Sequence, residues 1–188
     1  MGKVRGFILC IALLLFSVPV SYSFAEEEPV STDTAEMTEE QTSDETSSSY
    51  TLPYPGMLPD NPLYFLKEFR DAIIGFLISD PLKKAEFDLL QADKKIAAGV
   101  FLVNEKENEE LAVQTIRQAH DVFSDALIKT KQAEERGEAT SSLIERLRLS
   151  SEKHEEVLEE LSLQTGNKEF ATLSETAAGF QSEVEKLQ

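Results

Sequence analysis

The sequence predicts an all-α fold: an antiparallel up-down helical bundle of four long helices, preceded by one short N-terminal helix and an extended proline-rich strap. Three observations predict it. From Leu63 onward apolar residues recur in alternating steps of three and four, the spacing that lines up one side of a helix. No proline occurs after Pro81, so nothing in the long remainder forbids helix. That remainder is broken only at Asn104 to Glu110, Gly137 and Gly166-Asn167, polar or glycine-bearing breaks short enough to join antiparallel neighbours.

The chain divides by composition before the bundle begins. Residues 1–25 read as a signal peptide: Lys3 and Arg5 precede the apolar run Phe7 to Val20, and Ser23-Phe24-Ala25 forms a small-x-small cleavage site before Glu26. The apolar run is short for a span, which takes roughly 20 residues, and the alternative is an uncleaved N-terminal membrane anchor. Residues 26–50 hold nine acidic residues, no lysine or arginine and little that is apolar, so they predict a disordered acidic linker. The domain follows at 51–188. Its only candidate for redox chemistry is removed with the signal, because the single cysteine is Cys10.

The strap covers residues 51–60. Prolines at 53, 55 and 59 impose extended backbone, and Leu52, Tyr54, Met57 and Leu58 are apolar enough to predict a strap packed on the bundle rather than a free proline-rich ligand. The first helix is predicted to start with Asn61 as N-cap and Pro62 in its first turn and to end near Ile78. Its seam is Leu66, Phe69, Ile73 and Phe76, with Leu63, Ile74 and Leu77 beside it, a stripe wide enough to predict burial on more than one side. Asp80-Pro81 repeats the cap-plus-proline device and opens a second helix whose seam runs Leu82, Ala85, Leu89, Ala92, Ile96, Gly99, Val103. The third carries Ala112, Ile116, Ala119, Phe123, Ala126, Thr130 and Ala133. Ser142 with Glu145 predicts a capping box for a fourth helix with seam Ile144, Leu147, Ser151, His154, Leu158, Leu161. A last helix carries Phe170, Leu173, Ala177, Phe180, Val184 and Leu187.

Several of these residues also form recognisable runs. Leu58-Pro59-Asp60-Asn61-Pro62-Leu63-Tyr64 with Lys67, then Ser79-Asp80-Pro81-Leu82-Lys83-Lys84-Ala85-Glu86 and Ala92-Asp93-Lys94-Lys95-Ile96-Ala97-Ala98-Gly99, resemble an uncharacterised family of exported bacterial helical domains classed as a domain of unknown function. The resemblance covers residues 52 to 135 best. It implies the helical fold and export, with an N-terminal membrane tether in some relatives, and it brings no activity. On it, Leu58, Pro59, Asn61, Pro62, Leu63, Tyr64, Lys67, Asp80 and Pro81 are the candidate structural or interaction motif.

Chemistry is hard to find in these residues. The Glu-x-x-His pairs of di-iron bundles are missing, since Arg117 lies three before His120 and Ser151 three before His154. His-Glu-x-x-His, a P-loop and Gly-x-Ser-x-Gly are missing too. No catalytic residue, cofactor, metal or small-molecule substrate is expected. His154 is a weak ligand candidate, because it occupies a seam position, where a polar residue most simply fixes helix register. On that reading His154→Leu should leave stability unchanged or improved. His120 reads as a solvated flank residue. Glu152, Glu155, Glu156, Glu159 and Glu160 make an acidic face that a straight helix cannot wrap around an ion.

The formal net charge of −17 excludes nucleic acid as a natural partner. The expected function is that of a non-enzymatic exported module acting through contact with an unknown protein of the cell envelope, and touching the membrane only if the signal is uncleaved. The alternative is an extracytoplasmic sensor or carrier that holds a small ligand or metal within the bundle. Neither reading fixes an oligomeric state.

Overall fold

The computed structural model describes residues 50–187, within a compact unit spanning Thr46–Gln188. The expected signal peptide, its cleavage before Glu26 and all of the acidic linker but Tyr50 lie outside the described residues. Among the described residues five helices follow one another: α1 (Tyr64–Leu77), α2 (Pro81–Asn104), α3 (Glu109–Glu135), α4 (Ser141–Thr165) and α5 (Lys168–Glu185). The all-helical up-down bundle is as the sequence predicts.

Local chemistry sets most of the boundaries. Asp80 accepts the Lys83 amide at 2.9 Å with Pro81 in the first turn of α2, Asn108 accepts that of Leu111 at 3.1 Å to open α3, and Asn167 accepts that of Glu169 at 3.0 Å to open α5. Gly137 and Gly166 end α3 and α4 with φ of 77° and 70°, a left-handed conformation that glycine adopts without strain.

Two beginnings differ from expectation. Asn61 does not cap the first helix: its side chain accepts the Leu63 amide at 2.9 Å and its carbonyl accepts the Tyr64 amide at 2.9 Å. Asn61-Pro62-Leu63 is therefore an Asx turn that hands over to helix at Tyr64. In α4, Thr140 rather than Ser142 stands at the N-cap, without a side-chain bond. Glu145 pairs with Arg148 at 2.7 Å instead of closing a box on Ser142, because Ser142 already lies inside the helix.

α2 packs along α3 and α4 along α5, and the two hairpins meet mainly through α3 on α5 and α2 on α4. The predicted seams of α3 and α4 are buried throughout, and those of α2 and α5 apart from Leu82 and Phe180, which are half-buried. The apolar core falls into two clusters. One gathers Ile96, Leu102, Ile116, Leu158, Leu161 and Phe170, the other Leu89, Phe123, Leu143, Leu147, Val184 and Leu187. Alanines dominate the α2–α3 seam and let these helices approach closely. At Gly99 an added Cβ would stand 2.5 Å from Ile116 Cγ1, so Gly99→Ala is expected to cost about 1–3 kcal/mol through overpacking, outweighing the gain in helix propensity of roughly 1 kcal/mol. Urea denaturation of the variant measures this.

The strap is held differently from expectation. Leu52 packs against the first core cluster and Pro55 is buried, whereas Tyr54 is 75% and Met57 39% exposed. The stretch forms no regular strand and turns at Gly56, with φ of 73°, so its four apolar residues do not share one side. Tyr54 touches it only edge-on, against the Phe101 ring at 6.2 Å.

The first helix departs furthest. Among the described helices α1 rests on α2 alone, and it has no buried residue. Leu66, Phe69, Ile73 and Phe76, predicted as a buried seam, all face outward.

Candidate functional site

Two places concentrate unusual side chains. The first is α1 with the surface beneath it. Lys67, Asp71 and Gly75 recur every four residues and so share one side of the helix. That side faces α2: a Cβ at Gly75 would lie 3.4 Å from the Phe87 ring and 3.5 Å from Lys84 Nζ. Lys67 pairs with Asp71 at 3.7 Å and lies 4.9 Å above the Tyr64 ring. Lys95 reaches up from α2 to Glu68 at 3.1 Å. Partial burial pushes the Lys67 ammonium below its ordinary pKa, against the pull of Asp71, and pushes the Tyr64 phenol above its own. The polar side of α1 is thus turned in and its apolar side out, the reverse of an ordinary surface helix.

Between α1 and the bundle lies an open groove of about 440 Å³, lined in part by Lys67, Asp71, Lys84, Asp88, Lys95 and Asp125. Asp88 is buried. One of its oxygens meets the Lys84 ammonium and the other has no partner. Burial raises its pKa, and Lys84 opposes that shift.

The second place is a polar belt at the level where the two apolar clusters part. Asp93 of α2 accepts three hydrogen bonds: from Tyr50 Oη at 2.5 Å, Ser150 Oγ at 2.6 Å and His154 Nε2 at 2.8 Å. His154 is fully buried, and its Nδ1 has no partner. A carboxylate oxygen only accepts, so Nε2 carries the proton. The His154 ring stands edge-on to Phe123 at 5.4 Å, and Phe123 lies 4.9 Å from Phe180, which in turn stands 5.4 Å from His120. His120 is therefore buried rather than solvated: its side of α3 is closed by Phe180 of α5. Burial, and secondarily the charge of His154, lower its pKa to about 4. Burial, and then the Asp93 charge, raise that of the Tyr50 phenol far above its ordinary range.

Serine, histidine and aspartate together resemble a nucleophilic relay, but the geometry is not one. A relay sets the acid on one imidazole nitrogen and the hydroxyl on the other. Here Asp93 and Ser150 both meet Nε2, with Ser150 Oγ 3.2 Å away, and Ser150 is fully buried. The belt ties Tyr50, the residue just before the strap, to α2 and α4. Among the described residues no three His, Cys, Asp or Glu side chains converge to hold a metal ion. The acidic face of α4 is partly neutralised, Glu152 by Arg148 and Glu156 by Lys153.

The structure brings Tyr64 and Lys67 together under α1. Leu58 joins them only through the turn, where its carbonyl accepts the Asn61 amide at 3.1 Å. Pro59 is half-buried, Asn61, Pro62 and Leu63 are exposed, and Asp80 and Pro81 serve the start of α2. His154 stands apart in the core. Tyr50, Asp93 and Ser150 were not legible as its partners, although Asp93 and Ser150 each adjoin a seam residue, the one signal that could have found them.

A family model described as Domain of unknown function (DUF5667) matches residues 56–168, from the strap to the start of α5. No curated protein and no solved structure matches the chain.

Proposed function

We propose, since the chain belongs to the DUF5667 family and that description carries no activity, that the domain is a non-enzymatic contact module of the cell envelope that works through the outward face of α1. Export rests on the sequence, from the charged start, apolar run and cleavage site of residues 1–25; among the described residues no helix is long and apolar enough to cross a membrane. The single observation that carries the contact reading is the inverted helix. Eight large apolar side chains between Leu63 and Leu77 are 40% to 87% exposed. At roughly 200 Å² for a large side chain, they leave on the order of 900 Å² uncovered, where a monomer ordinarily shows no more than about 300–600 Å² in one patch.

A photoreactive side chain at position 69 or 76 is expected to yield protein adducts in intact cells, while one at position 159 on the acidic face yields none. Adducts at 159 alone would overturn the assignment. The groove supports a second reading, a small ligand bound between α1 and α2, because the free oxygen of Asp88 and the ammonium groups of Lys67, Lys84 and Lys95 offer partners of both signs. A ligand of the native state raises the melting temperature by mass action, so screening zwitterionic and anionic small molecules by thermal shift, with Asp88→Asn as control, tests it.

A further inference from the structure

We infer that the occupant of the α1 face is a second copy of this chain, docked helix to helix. This rests on reading that face as the contact surface, and three observations carry it further.

The exposed stripe has the register of a helix partner. Leu66, Phe69, Ile73 and Phe76 are spaced three, four and three, the a/d pattern whose knobs enter the holes of a facing helix. The other seams of this chain follow the same rule and find their partners inside the bundle. The α1 seam has none among the described helices, and a second copy brings an identical seam, as the self-complementary patch of a twofold dimer requires.

The area agrees. The uncovered surface of about 900 Å² is close to the roughly 800 Å² that each partner gives to a stable interface.

Charge argues against the other apolar occupant, a bilayer. Helices that lie in a membrane surface carry lysine and arginine free to meet anionic headgroups. In α1, Lys67 and Arg70 both pair with Asp71, at 3.7 and 2.7 Å. Glu68 balances them to a neutral helix, which offers anionic headgroups no free cation. The same neutrality lets the α1 faces of two copies meet without setting like charges against each other at the contact, although each whole chain is acidic.

The test is sedimentation equilibrium of the protein isolated from cells that make it, across micromolar concentrations, beside Phe69→Glu, Phe76→Glu and the milder Phe69→Ser. Both phenylalanines are largely exposed, so the variants should fold as the wild type does, which circular dichroism checks. The expected result is a wild-type dimer that dissociates on dilution, with both glutamate variants monomeric at concentrations where the wild type is dimeric and Phe69→Ser shifted toward monomer. A dimer that persists unchanged in the glutamate variants would overturn the inference by placing the contact elsewhere. A wild type that is monomeric throughout would overturn it as well, and the cause is then separable. Adducts to a different protein from position 69 would leave the contact reading standing with another occupant. Flotation with neutral phosphatidylcholine vesicles, lost in Phe69→Glu, would give the face to a bilayer. Absence of both would remove the contact reading together with the dimer.

Discussion

Asp93→Ala is expected to lower the stability of the domain by about 3–5 kcal/mol, because three hydrogen bonds to a charged acceptor, each worth about 1.5–3 kcal/mol, are lost while removal of the buried charge offsets part of the cost. The carboxylate is the common acceptor of Tyr50, Ser150 and His154, and without it two buried donors, Ser150 and His154, and the half-buried Tyr50 lose that acceptor at once. Each such loss carries a desolvation penalty of about 1–3 kcal/mol, lessened where the cavity admits water. For a domain of this size the melting temperature should fall by roughly 10–20 °C. His154→Leu is expected to cost less, about 1–3 kcal/mol, because Tyr50 and Ser150 still donate to Asp93. That reverses the neutral outcome expected from the seam pattern alone: the sequence shows the histidine and hides the carboxylate it satisfies. Chemical denaturation of the single variants and of Asp93→Ala/His154→Leu measures both effects, with the double variant costing less than the sum since the residues share one network. A loss below about 1 kcal/mol for Asp93→Ala would show that the belt does not hold the helices.

Acidification between pH 6.5 and 4 is expected to destabilise the domain through His120. Its folded-state pKa is lowered from 6.5 to about 4 by burial against Phe180 and by the nearby His154. Above pH 6.5 the imidazole is neutral in both states and contributes no pH dependence. Below it the unfolded chain takes up a proton that the folded chain refuses, so stability falls with pH until the folded pKa is reached. A shift of this size corresponds to a loss of roughly 3 kcal/mol. Asp88 acts in the opposite sense at the acid end, because its raised pKa lets the folded state bind a proton more readily than the unfolded one. His120→Phe should flatten the fall between pH 6.5 and 5, where few carboxylates titrate. Melting temperatures measured across that range decide the matter, and an unchanged slope in the variant would remove His120 as the cause.

How far the sequence reaches is clearest from a comparison of α1 with α4. In α4 the seam from Ile144 to Leu161 predicts a buried stripe and the structure buries it. The same periodicity in α1 predicts a buried stripe and the structure exposes it. Periodicity reports which side chains share a face and is silent about what that face meets. The all-α fold, its helix order, the start at Asp80-Pro81 and the break at Gly166-Asn167 are legible because caps, proline and spacing act over a few residues.

His154 could be picked out because a polar residue interrupts an apolar seam. Its partners could not, since Asp93 is 61 residues away and only the packing of α2 on α4 brings the two together. The burial of His120 likewise depends on Phe180 arriving from another helix. The sequence by itself determined what each segment can become, through short-range geometry and solvation. Only the tertiary structure decided which faces are covered, which charges meet and which helix presents its apolar side to the outside, because these depend on contacts between residues far apart in the chain.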